Sequence, residues 1–177
     1  MSLKKILILL AAILLSSCEK NSVSVIANGQ YKVKEPSGDF SHIADPVLRW
    51  RAYGLRDYVL EQSRMCFCID AGKRRYLIVS NEKLVDVIDV ESGESLPAEQ
   101  HAWYDTVDEL FALAAKIDTS EVASSEIIYD PRFGFPVRIA VDWDAGIADE
   151  EVTILSTNLK QLVSGKVLAA GMPVSEK

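Results

Sequence analysis

The chain has 177 residues, 19 of them basic and 26 acidic, for a formal charge of −7. That balance excludes binding to nucleic-acid phosphates, which demands clustered Lys and Arg. It also repels the body of the protein from anionic lipid, except where an anchor holds it.

The N-terminus reads as an export signal. Lys4 and Lys5 precede ten residues, 6 to 15, without a polar side chain, and Ser16, Ser17 and Cys18 follow. A charged start, a short apolar run and small residues at the cut make a secretory signal. The run is too short for a helix spanning the bilayer, which needs about 20 apolar residues. Residues 1 to 17 are therefore a signal peptide, outside the fold. "LSSC" resembles the lipobox of bacterial lipoproteins, which implies lipid attachment at Cys18 after cleavage before it. An ordinary secretory signal ending at a cysteine is the other reading. Glu19 stands where the inner-membrane retention signal has aspartate, which favours the outer membrane, facing the periplasm. Without residues 1 to 17 the chain loses two lysines and no acid, so 17 basic and 26 acidic residues remain and the charge becomes −9.

Residues 18 to 44 read as lipid anchor and flexible tether. They mix Asn, Ser, Gly, Lys and Pro without sustained periodicity. As a coil the tether would reach about 28 Å. The domain follows, over residues 45 to 164. Asp45 can cap a helix, Pro46 suits its first position, and Gly54 can stop it. "DYVLEQSRMCF" is extended. "KRRYLIVS" and "KLVDVIDV" are strands rich in β-branched residues, joined at Asn81 and Glu82 as a hairpin. A loop covers residues 91 to 105. Thr106 and Glu109 then form a capping box, and Val107, Leu110, Phe111, Ala114 and Ile117 follow helical spacing. "SSEIIYD" and "FPVRIAVDW" are strands around a "DPRFG" turn. Phe135, Val137, Ile139 and Val141 share one face of the second. After an acidic turn, "EEVTILST" is the last strand, and residues 165 to 177 form a tail.

The expected fold is α+β. A mostly antiparallel sheet of about six strands carries two helices on one face. The order helix–strand–strand–strand occurs twice, which suggests a duplicated α-β-β-β unit.

Several segments together resemble a bacterial lipoprotein family of unknown function, numbered six-one-seven-four among such domains. They are Trp50 ahead of the Tyr58 strand, "CFC" at 66 to 68, "VDVIDVESGE" at 85 to 94, "TVDELF" at 106 to 111, "YDPRFGFP" at 129 to 136 and "DWDAGIADEE" at 142 to 151. The resemblance spans residues 46 to 157. One departure is Ile69, where the pattern has proline. The resemblance implies an envelope lipoprotein and brings no activity, cofactor or catalytic residue. The two-helix sheet is also similar to the PepSY and β-lactamase-inhibitor-like folds, which are associated with binding and inhibition.

Cys66 and Cys68 have four readings. In a straight strand their Cα atoms would lie about 6.6 Å apart with parallel side chains. A disulfide wants Cβ atoms about 3.8 Å apart, so a bridge needs a bulge or turn at Phe67. The readings are a local disulfide fixing a turn, two buried thiols, a strained redox pair helped by Lys73, Arg74 and Arg75, and a soft-metal site. The acidic run at Asp142, Asp144, Asp149, Glu150 and Glu151 could hold calcium, but it fails the EF-hand spacing at Gly146 and Thr153. His42 lies in the tether and His101 in a loop, and no nucleophile–base pattern accompanies them. Trp103, Tyr104, Trp143, Phe133 and Phe135 are either interface anchors or lids on the core edge.

The sequence thus leads to a lipid-anchored, non-enzymatic binding module without cofactor. Its partners are the membrane, through Cys18, and an envelope protein. The alternative is a periplasmic thiol-redox or metal-binding protein using the Cys-Phe-Cys pair. On the binding reading, an apolar patch should lie on the sheet face away from the helices, or at the loop rim.

Overall fold

In a computed structural model of the chain, residues 24 to 163 are described. The expected signal peptide, Cys18 and the tail of residues 165 to 177 lie outside the described residues.

Helix α1 covers Pro46–Tyr53. Asp45 caps it by accepting the Leu48 amide at 2.8 Å, and Gly54 closes it at φ +58°. That conformation suits glycine, which has no Cβ to clash. Helix α2 covers Val107–Thr119 with the reciprocal Thr106–Glu109 capping box. The strands are β1 (Ser24–Ile26), β2 (Tyr31–Lys34), β3 (Tyr58–Met65), β4 (Arg75–Ser80), β5 (Lys83–Asp89), β6 (Ser124–Tyr129), β7 (Pro136–Asp142) and β8 (Val152–Leu162). The β5–α2 connection contains a short 3-10 turn, Ala98–Trp103.

All eight strands join one antiparallel sheet. β3, β4 and β5 form a meander, and β8 lies along the outer edge of β3. The other edge of β8 is shared. Its start pairs with β7 through Val152–Val141 to Leu155–Arg138, and its end pairs with β2 through Gln161–Lys34 and Leu162–Val33. Between the two stretches, Asn158 adopts φ +51° and the β3–β8 register shifts. Asn158 tolerates this left-handed position better than most residues. Its side chain donates to Glu61 Oε2 at 2.7 Å.

Period-two alternation divides the apolar residues between the faces. Tyr58, Leu60, Leu77, Val79, Val87, Ile139, Val141 and Ile154 pack beneath Trp50, Leu110, Ala114 and Ile117. Both helices therefore cover one face, and the α+β class matches the expectation. Trp50 meets Tyr58 and Phe135 edge-on, with ring centroids 5.5 and 6.2 Å apart. Gly134 lets the β6–β7 turn approach α1, because a Cβ there would lie 2.3 Å from the Pro46 carbonyl oxygen. The order α-β-β-β does occur twice, but β3, first strand of one half, pairs with β8, last of the other. Element order is what the halves share.

The expected tether is different over residues 24 to 34. There β1 and β2 form a hairpin on the back of the sheet. Ala27, Tyr31 and Val33 bury against Val59, Ile78, Ile88 and Leu162, forming a second core. Val33 is fully buried, which stabilises the docked hairpin by on the order of 1.5 kcal/mol. Tyr31 donates from its hydroxyl to Asp86 at 2.9 Å, and Asn28 from its amide to the Ser92 carbonyl at 3.2 Å. The cause is in β3 and β4. Tyr58-Val59-Leu60 and Leu77-Ile78-Val79 are apolar on both faces, so the back needs a cover as the front does.

Candidate functional site

One end of the sheet gathers the features that the sequence left open. β3 ends at Met65, and residues 66 to 74 return the chain to β4. Cys66 and Cys68 are joined by a disulfide with Cα atoms 5.2 Å apart. The pair lies just past the strand, so the straight-strand geometry that opposed bridging does not apply. The Gly72 amide donates to the Arg64 carbonyl at 2.8 Å, and the Lys73 amide to the Asp70 carbonyl at 3.1 Å. These bonds and the disulfide make a compact loop too small to hide its own apolar residues. Phe67 is 82% and Ile69 83% exposed.

This tip rests on charged supports. Arg75, almost fully buried at the start of β4, pairs with Asp89 and lies 3.5 Å from Asp70. Asp70 also pairs with Lys73 at 2.5 Å. Asp89 accepts the Glu91 and Ser92 amides at 2.9 and 2.8 Å. The Ser92 amide in particular, with the other donors, holds the Asp89 carboxyl below the usual aspartate range. Hydrogen bonding from Lys73 likewise lowers Asp70.

A second loop is fastened beside the first. Gln62 exchanges two hydrogen bonds with the backbone of Asp105, at 3.0 and 3.1 Å. Arg64 reaches the Asp105 carboxylate at 3.0 Å. Burial pushes the Asp105 carboxyl up, and Arg64 opposes that shift. Tyr58 accepts the Val107 amide at 2.9 Å, fixing the start of α2 to β3. Trp103, 47% exposed, is thereby held next to the disulfide loop. Arg64, Cys66, Cys68, Ile69, Trp103 and Tyr104 line a cavity of about 300 Å³, completed by Asp70 and Lys73. Of the eight large hydrophobic residues exposed among the described residues, Met65, Phe67, Ile69 and Trp103 belong to this end. Scattered apolar residues on a surface mean little, but a contiguous group points to a contact site.

The other candidates sort differently. Phe133, Phe135 and Tyr104 are buried in the front core, and Trp143 packs partly against it under Lys116. They are core residues, which leaves Trp103 as the exposed member of that set. The back face beyond the hairpin carries the Arg138–Glu126 ion pair at 2.6 Å beside exposed Ile128. Of the two expected locations, the loop rim holds the apolar group. In the acidic β7–β8 loop, Asp144 accepts the Gly146 amide at 2.9 Å, and Glu150 accepts the Asp144 amide. Those carboxylates shape a turn. Among the described residues no three His, Cys, Asp or Glu side chains gather as a metal site. His101 Nε2 lies 3.2 Å from the Leu96 carbonyl oxygen, and the His42 ring is tilted at 45° to that of Phe40, with centroids 6.5 Å apart. No helix among the described residues is long and apolar enough to cross a membrane.

The fold and the tip define an α+β domain, double-cored, with a disulfide-closed apolar loop at one end. Residues 43 to 161 match the Family of unknown function (DUF6174), and the chain belongs to that family. The β1–β2 hairpin precedes the matched segment. No curated protein and no solved structure matches the chain.

The supports make a pH-dependent prediction. Asp89 has a folded pKa below its unfolded value, so its stabilisation is complete above about pH 4 and is lost as pH falls through the folded value. Asp89→Asn should cost about 2 to 4 kcal/mol near neutral pH, because it leaves buried Arg75 short of a partner. The difference from wild type should shrink as pH falls below about 4. Urea titrations of both proteins across this range check it.

Proposed function

We propose that the chain is a lipid-anchored envelope protein, attached through Cys18, that acts as a non-enzymatic binding module. It faces the periplasm from the outer membrane. Its recognition surface is the disulfide-closed tip, and its partner is an envelope protein that inserts an apolar or aromatic side chain beside Phe67, Ile69 and Trp103. The observation that carries this reading is the 82 and 83% exposure of Phe67 and Ile69 on a loop rigidified by a covalent bond. Rigid apolar anchors bind at low entropic cost, since little is ordered on association. The cavity of about 300 Å³ has the scale of one large side chain with room to spare.

A photoreactive residue at Lys73 in living cells tests it. An adduct with a single envelope protein should form, and Phe67→Ser with Ile69→Ser should reduce it at least about tenfold, as loss of a central anchor does. Val85→Ser, an apolar residue exposed on β5, should leave it unchanged. An adduct indifferent to the tip substitutions would defeat the reading.

A second reading is favoured by the position of Cys68, which is exposed in the cavity wall. A thiolate of a reduced partner could attack its Sγ. The Cys66–Cys68 bond would break, Cys66 would leave as thiolate, and a second partner thiol would release the mixed disulfide. The partner is oxidised and the pair reduced by two electrons. Lys73 and Arg74 would stabilise the thiolates. Mild dithiothreitol followed by iodoacetamide should then label both cysteines while the fold persists. Sulfurs that stay unlabelled until the protein unfolds would exclude exchange.

A further inference from the structure

The hairpin also sets how the domain sits. Ser24 lies opposite Val33, and Val33 opposite Leu162, so the chain leaves the folded body beside the end of β8. Met65 lies opposite Thr153, at the other end of the same strand. Residues 19 to 23 are all that separate Cys18 from β1. Even fully extended, six residue steps reach only about 20 Å. A body starting at residue 45 would be free to drift; one starting at Ser24 is not.

Lysines gather at the exit. Tyr31 and Val33 point into the second core, so alternation turns Lys32 and Lys34 outward, on either side of the residue facing Ser24. Among the described residues no ion pair engages either lysine. Lys160 stands next to them, paired with Glu35. Lys32 and Lys34 thus flank the exit of an acidic chain, with the Lys160–Glu35 pair beyond them. Anionic headgroups attract such clusters within a Debye length.

Resting on the proposed acylation of Cys18, we infer that the outer face of β2 is a membrane-contact surface. Lys32 and Lys34 lie on the anionic phospholipid headgroups of the bilayer that holds the lipid of Cys18. The disulfide tip then stands at the far end of β8, roughly 30 Å along the strand from the chain exit.

The full acylated chain in phosphatidylethanolamine–phosphatidylglycerol vesicles tests this. A membrane-impermeant amine-acylating reagent marks accessible lysines, and peptide mass spectrometry reads the rate at each. The comparison is the same chain with about fifteen Gly and Ser residues inserted between Cys18 and Ser24, which lengthens the tether without touching the fold. Lys32 and Lys34 should react at least about fivefold more slowly without the insertion, while Lys73 and Lys116 react equally in both. Acylation is read separately from the mass of the N-terminal peptide. A chain without lipid, free of the vesicles, overturns the anchor and the seating together. An acylated, vesicle-bound chain whose Lys32 and Lys34 react at the rate of the insertion variant overturns the seating alone.

Discussion

The structure depends on β8 being paired along both edges. One edge carries β3 over its whole length. The other carries β7 at the start and β2 at the end. Between the two stretches Asn158, at positive φ, bends this eleven-residue strand. A β-bulge of this kind redirects a strand and increases its twist. The result is a sheet that divides beyond β8, with one branch staying under α2 and the other turning to the back.

From that division follow the two cores. The front core uses the stripe of α2, Trp50 of α1 and the alternating residues of β7. The back core is smaller and needs the hairpin, because Val59, Ile78 and Ile88 would otherwise face water. The hairpin is in turn too short to persist alone; isolated two-stranded ribbons are marginal in water. It is held by what it covers. The two ends of the molecule are also set by β8. The disulfide loop lies beyond its first residues, and the chain exit beside its last. The disulfide loop and the chain exit are thereby separated by the length of one strand.

Much of this was legible. Asp45, Pro46 and Gly54 bound α1, and the Thr106–Glu109 box starts α2 where expected, because these signals act within one turn of chain. The alternation of Phe135, Val137, Ile139 and Val141 gave the inward face of β7. What escaped detection was tertiary. The hairpin has strands of three and four residues with few inward apolar side chains, too little for a periodic signal. A clue existed: Asn28-Gly29 is a favoured turn pair. The stronger clue was the run of apolar residues on both faces of β3 and β4, which demanded a second cover. The sequence pattern ends β8 at Thr157, because Asn158 and the polar residues after it break the alternation. At the tip, the sequence offered the cysteines but not the exposure of Phe67 and Ile69. In "CFCI" the apolar residues suggest a buried strand, whereas the disulfide closes a loop with no interior.

The central claim is that the chain exit and the disulfide tip are fixed at opposite ends of one strand. Pulsed electron–electron resonance between non-cysteine spin labels at Ser24 and Phe67 tests it with the native disulfide intact. Nine residue steps along β8, from Thr153 to Leu162, correspond to roughly 30 Å. A docked hairpin should give one narrow distance distribution near that length. A broad distribution, like that of an unattached coil, would mean that residues 24 to 34 are a free tether after all.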